Sequence, residues 1–288
     1  MKATSLFFII ALFAAVSISS AQQSPPKFIR ISPHASVTQT VGITDMTVIY
    51  HRPGVKGREI WGKVVPFNEV WRSGANNATT FTFSNDVTIN GASLKAGTYS
   101  FFTLPAENEW TIIFNSAVDQ WGAFSYDSTK NVLTFKVKPE TAPHEEWLSY
   151  SFSELTKNSA KVTLRWEKLS VSFTVSTDTY SNVMKEASSE ANSGAGVAAT
   201  FARYSLDTKT DWENGMKAVD KAIELNPSSG NYQLKANLYA QKEMYKEAVA
   251  AGETAVQLGK EQNVNTVNFE KALIDWKSKL PAAGKKKK

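Results

Sequence analysis

The sequence predicts a β domain followed by a separate α domain: an antiparallel β-sandwich, then a set of α-helical hairpins. Three observations carry that prediction. Between residue 31 and about residue 175 the apolar residues alternate with period two in short runs rich in β-branched and aromatic side chains. From about Thr179 the spacing changes to that of amphipathic helices, in Ala-, Lys- and Glu-rich segments. The chain has 288 residues, 42% of them hydrophobic, and no cysteine, so two cores have to form without a disulfide framework. The expected divisions are residues 1–21, 31–176, 179–281 and 282–288.

Residues 1–21 read as a secretory signal peptide. Lys2 precedes an apolar run from Leu6 to Val16, which decays through Ser17, Ser19 and Ser20 into Ala21. The small residues Ser19 and Ala21 place cleavage after Ala21, so a periplasmic or secreted protein is expected. No later segment has the length of apolar chain that spans a bilayer, and a membrane-spanning protein is not expected. The formal charge of +5 comes from the ends: without Lys2 and Lys285 to Lys288, 27 basic residues face 27 acidic ones. Residues 282–288 therefore read as a basic, solvated tail, and no nucleic-acid stripe is expected.

Strands are expected at residues 46–50, 79–83, 97–104, 110–114, 133–137, 147–152, 161–166 and 169–175. Asn90-Gly91 supplies the positive φ of a two-residue hairpin. Lys157-Asn158-Ser159 separates two alternating runs closely enough to make them antiparallel neighbours. Alternation with one face buried and one solvated, over eight or more such strands without intervening helices, gives a sandwich or closed barrel, and the sandwich is the expected one.

Helices are expected at residues 180–191, 197–206, 212–225, 230–242, 245–259 and 264–280, joined by connections short enough for antiparallel hairpins. Gly194-Ala195-Gly196 with Ala199 formally spells a dinucleotide fingerprint. It follows a polar segment and not a strand, so it is expected to be a loop between helices. Two hairpins resemble tetratricopeptide repeats. Tyr232, Ala236, Tyr239, Tyr245, Ala248 and Ala255 stand at that repeat's packing positions, while Lys235, Gly252 and Lys260 depart from it. The resemblance implies either a protein-binding groove presenting Tyr232 and Tyr239 or a helical cap that packs on itself and on the β domain.

The least ordinary stretch is the connection formed by residues 51–79. It is long for a loop, yet Ile60, Trp61, Val64, Val65, Phe67, Val70 and Trp71 anchor it. Its candidate ligand-binding residues are Arg52, Arg58, Trp71, Arg72, Asn76 and Asn77, because guanidinium forks and amides suit carboxylates, phosphates or sugar hydroxyls. The alternative is structural: the same guanidiniums satisfy backbone carbonyls or Glu59 and Glu69. Trp61, Trp71, Trp110 and Trp121 are either core residues or sugar platforms.

The segment RPGVKGREIWGKVVPFNEVWRSGANNAT, followed by LKAGTYSFFTLPAENEWTIIFN, resembles the family called domain of unknown function 2911 (DUF2911), secreted proteins found mostly in Bacteroidota. That resemblance implies a β-sandwich over roughly residues 33–175, a secreted or periplasmic location and no particular activity. Its signature maps onto Arg52, Pro53, Gly57, Arg58, Trp71, Arg72, Gly74, Ala75, Asn76 and Thr79. A glutamate often follows the signature asparagine, whereas this chain has Asn77.

No catalytic residue is assigned. A G-x-S-x-G elbow, an H-E-x-x-H pair and a P-loop are all missing, and His34, His51 and His144 are far apart in sequence, so no metal and no cofactor are expected. Two classes of function remain. One is a non-catalytic binding protein for a small-molecule, glycan or peptide ligand, with a protein partner on the helices. The other is a hydrolase of envelope or extracellular glycan or peptide, which would need two carboxylates facing each other beside Trp71 and Arg72.

Overall fold

The computed structural model describes residues 29–189 and 193–281; the expected signal peptide and Lys-rich tail lie outside them. Among the described residues, ten strands form two antiparallel sheets. The six-stranded sheet runs β1 (His34–Val41), β2 (Thr44–His51), β3 (Thr79–Phe83), β6 (Gly97–Leu104), β7 (Trp110–Asn115), β8 (Asn131–Val137). The four-stranded sheet runs β5 (Ala92–Leu94), β4 (Val87–Ile89), β10 (Ser159–Ser176), β9 (Glu140–Ser153). Their inward faces share one core, in which Met46, Val48, Phe81, Phe101, Ile112 and Phe114 of the first sheet meet Leu148, Val162, Leu164, Phe173 and Val175 of the second. Burying each such side chain contributes about 1.5–3 kcal/mol, which is what holds the sandwich closed.

Residues 161–166 and 169–175 belong to one strand, β10, and not to two. Glu167 has φ +56° and interrupts the pairing register with β9 on both sides. This bulge adds a residue, so the inward positions change from Val162, Leu164 and Trp166 to Val171, Phe173 and Val175. The polar Glu167-Lys168 pair imitates a turn in sequence. β1, by contrast, was not expected as a strand: its inward residues Ala35 and Val37 are only partly buried, so its alternation carries little hydrophobic contrast. The Asn90-Gly91 turn between β4 and β5 has φ +47° and +85°, as a two-residue hairpin needs.

Four Trp residues gather at one end of this core. The Trp61 ring centroid lies 5.0, 5.8 and 5.9 Å from those of Trp110, Trp166 and Trp71, each in an edge-to-face pose, and Trp71 stacks on Trp166. The chain between β2 and β3 thereby closes the sandwich with its own side chains.

Six α-helices follow among the described residues: α1 (Thr179–Ser189), α2 (Gly194–Thr208), α3 (Trp212–Leu225), α4 (Ser229–Gln241), α5 (Tyr245–Glu261) and α6 (Val267–Ser278). Gly194 to Gly196 form the first turn of α2, and not the loop expected before it. Gly194 is needed there because a Cβ would collide with the carbonyl of Ala187 as α1 and α2 cross. Hydrogen bonds tie α1 to the sandwich: the Asn182 amide donates to Thr177 Oγ1 (2.9 Å), which lies 2.8 Å from Thr44 Oγ1, and Thr179 Oγ1 donates to the Lys157 carbonyl (2.6 Å).

Candidate functional site

The segment from His51 to Thr79 divides into two halves with different surroundings. In the first, the chain leaves β2 and lies alongside β9: Val55 N–H donates to the Glu146 carbonyl (2.8 Å), and Leu148 N–H donates to the Pro53 carbonyl (3.1 Å). Lys56 and Gly57, with φ +50° and +67°, turn it back. Arg52 then donates from Nε to the Leu148 carbonyl (2.8 Å) and from Nη2 to the Trp147 carbonyl (3.3 Å). Arg58 donates to the carbonyls of Val55 (3.1 Å) and Gly54 (2.7 Å). Both guanidiniums are thus engaged with backbone carbonyls, two of them on β9 and two on the segment's own turn.

In the second half, Trp71 pairs with Thr103 of β6, its N–H and C=O bonding those of Thr103 at 2.8 and 2.9 Å. Strand alternation turns Trp71 into the core and sends its neighbours Val70 and Arg72 to the opposite, outer face of the six-stranded sheet. There Val70 packs with Ala78, Phe102 and Ile113, and with Ala123 and Tyr126 of the loop joining β7 to β8. Two backbone bonds clip that loop to this half: Ala78 N–H to the Gln120 carbonyl (2.9 Å) and Gly122 N–H to the Asn76 carbonyl (3.0 Å). Sequence reasoning on residues 51–79 alone missed this second loop. Its signal is the aromatic run Trp121 to Tyr126 in a connection too polar elsewhere to be a strand.

Arg72 is half-buried, its guanidinium has neither an ion pair nor a hydrogen bond to a described residue, and its Nε is shielded from solvent without a partner among them. Desolvation pushes its pKa below the ordinary arginine value, although the group stays charged at any physiological pH. Two further polar atoms on this outer layer are buried and unpartnered: Gln120 Oε1 and Ser100 Oγ, the latter two residues along β6 from Phe102. Asn76, with φ +56°, spends its amide N–H on the Ser32 carbonyl (3.1 Å). Asn77 is exposed and bridges to Trp121. Trp121 and Phe124, on the loop clipped to Asn76 and Ala78, are 54% and 86% exposed.

The matched residues of a known family coincide with this β part: residues 32–175, half of the chain, match the protein of unknown function (DUF2911) family. The chain belongs to this family. No curated protein and no solved structure matches it. The DUF2911 match covers both halves of the segment and the covering loop, and it stops one residue before the end of β10. The helices lie outside it.

On those helices, Tyr239 is half-buried where α3, α4 and α5 meet, with its ring centroid 6.4 Å from that of Trp212 and Lys235 Nζ 6.0 Å above its ring. Tyr232 lies two turns earlier on α4, also half-buried. Among the described residues, no three His, Asp or Glu side chains are grouped so as to hold a metal, and no helix is long and apolar enough to cross a membrane. His144 and Glu146 lie 3.6 Å apart on β9, on the Arg58 side of the segment.

Proposed function

We propose that this DUF2911 protein is a periplasmic or secreted binding protein that captures an anionic ligand with an apolar face, a sugar acid being the class that fits best. The ligand's carboxylate would engage Arg72, its ring the exposed Trp121 and Phe124, and a hydroxyl the exposed Asn77. One observation carries this reading: among the three arginines singled out between β2 and β3, Arg72 has an unsatisfied, partly desolvated guanidinium, whereas Arg52 and Arg58 donate to backbone carbonyls. A preformed cation held away from bulk water binds a carboxylate more strongly than a fully solvated one does. The signal-peptide reading of residues 1–21 and the Bacteroidota source implied by the resemblance supply the location. In the same reading the tetratricopeptide-like helices support the β part and present Tyr232 and Tyr239 to a protein partner.

The test is calorimetric titration with an oligogalacturonate and with its carboxyl-reduced, neutral counterpart. Binding of the acidic form should be lost in Arg72→Ala, while the melting temperature stays within about 3 °C, since no internal partner is stranded. Retained binding, or a melting temperature lowered by roughly 8 °C or more, assigns Arg72 to the fold and overturns the reading.

A further inference from the structure

A cavity of about 630 Å³ lies where the sandwich meets the helices, away from Arg72. The turn between β1 and β2, the turn between β9 and β10, and the facing sides of α1 and α2 form its walls. Ile43, Leu155, Val183, Val197, Phe201 and Tyr204 give it a mainly apolar lining, and Leu155 and Tyr204 are 53% and 43% exposed at its edge. The walls are held in place. Gly42, with φ +61°, comes so close to Thr179 that any Cβ there would collide with it, and Thr179 is bonded in turn to the Lys157 carbonyl. Volumes of about 300–1,000 Å³ at the meeting of two structural parts are typical of small-molecule sites.

The polar groups on the walls are committed, except for the Tyr204 hydroxyl, which has no hydrogen bond to a described residue, and one carboxylate. Thr156 Oγ1 pairs with Ser159 Oγ (2.8 Å), Thr179 Oγ1 with the Lys157 carbonyl, and Thr200 Oγ1 with the Gly196 carbonyl (2.6 Å). Lys157 Nζ is neutralised by Asp211 Oδ2 at 2.5 Å. The Glu186 carboxylate alone among the lining charges has no ion pair or hydrogen bond to a described residue. It stands on the same face of α1 as Thr179 and Val183, seven residues or ~10 Å along the helix from Thr179. An occupant therefore meets apolar walls along its length and one uncompensated negative charge at one end.

We infer that this junction cavity is a second binding site, for an amphipathic amine: a medium-length apolar body against Phe201 and Tyr204, and an ammonium group at Glu186. Charge complementarity selects the amine over a fatty acid, because the cation on the wall already has its counter-ion and the anion does not.

The probes are decylammonium, decanoate and decanol, titrated calorimetrically into the mature chain below their critical micelle concentrations. Decylammonium should bind saturably at one site, and decanoate at least about tenfold more weakly. Glu186→Gln should weaken decylammonium by about threefold to tenfold and leave decanol unchanged, as expected for an ion pair near the surface. Thr200→Trp fills the cavity from an exposed wall position and should abolish binding of both. If that variant lowers the melting temperature, Val197→Phe is the second filling variant. Absence of saturable decylammonium binding, binding indifferent to a well-folded filling variant, or decanoate bound as tightly as the amine overturns the inference.

Discussion

The two halves of the chain between β2 and β3 carry the same side chain into opposite circumstances, and the difference lies in the carbonyls around it. Beside β9, the carbonyls of Gly54, Trp147 and Leu148 accept from Arg52 and Arg58. Around Arg72 the corresponding acceptors are already taken. The Trp71 carbonyl accepts from Thr103 N–H, that of Arg72 from Thr79 N–H, that of Ser73 from the Tyr150 and Thr79 hydroxyls, and that of Gly74 from the Trp71 indole. An arginine becomes structural when the chain nearby leaves acceptors open, and it stays available when tight turns and strand pairing have closed them.

Removing the guanidiniums of the first half is the largest perturbation of this contrast. Arg58→Met keeps most of the apolar stem but strands the carbonyl of the buried Gly54, and Arg52→Met strands that of the buried Leu148. Each should destabilise by about 1–3 kcal/mol, a fall of roughly 3–10 °C in melting temperature. Urea denaturation followed by Trp fluorescence checks this directly, since the four-Trp cluster lies in the same core. A loss below about 0.5 kcal/mol in both variants would erase the distinction between the halves.

The second half has its own tether. Tyr150, buried on β9, donates its hydroxyl to the Ser73 carbonyl (2.9 Å), and burial, as the main cause, holds its pKa well above the usual value near 10. In the unfolded chain the phenol ionises near pH 10, whereas in the folded chain it keeps its proton beyond that. Its contribution is therefore fully present below pH 10 and lost as pH rises through the folded pKa. Tyr150→Phe should cost about 1–2 kcal/mol at pH 7 and flatten the decline of stability above pH 10. An unchanged slope in urea melts between pH 9 and 11 would show that the phenol ionises alike in both states.

Much of this architecture can be read from the residues, for stated reasons. Alternation of Val162, Leu164 and Trp166 and the Asn90-Gly91 turn reflect local backbone preferences, so strand and hairpin positions are legible. Helix α3 begins and ends where its pattern places it, at Trp212 and Leu225. The bulge at Glu167 is not legible, because only the partner strand reveals the extra residue. Nor is the sorting of the arginines: Arg52 finds its acceptors 95 and 96 residues away. Trp121 and Phe124 join the candidate surface because backbone bonds clip their loop to Ala78 and Asn76, and such pairing leaves no trace in side-chain spacing.

The smallest expected effect is the one that separates the halves most sharply. Arg72→Met retains an unbranched apolar stem that can lie against Phe102 and Val70 while removing a buried, unpartnered Nε–H and a partly desolvated charge. Burying a polar group without a partner opposes folding, and replacing it with an apolar one of similar volume is neutral or favourable. The substitution should leave stability unchanged or raise it by up to about 1 kcal/mol, where Arg52→Met and Arg58→Met lower it. Because the native guanidinium disfavours folding in this account, a ligand that pairs with it should stabilise the native chain, with a rise in melting temperature that Arg72→Met does not show. Thermal melts of the three methionine variants, run side by side with and without an oligogalacturonate, measure both differences. A loss of more than about 1 kcal/mol in Arg72→Met would mean that its guanidinium supports the fold as the other two do.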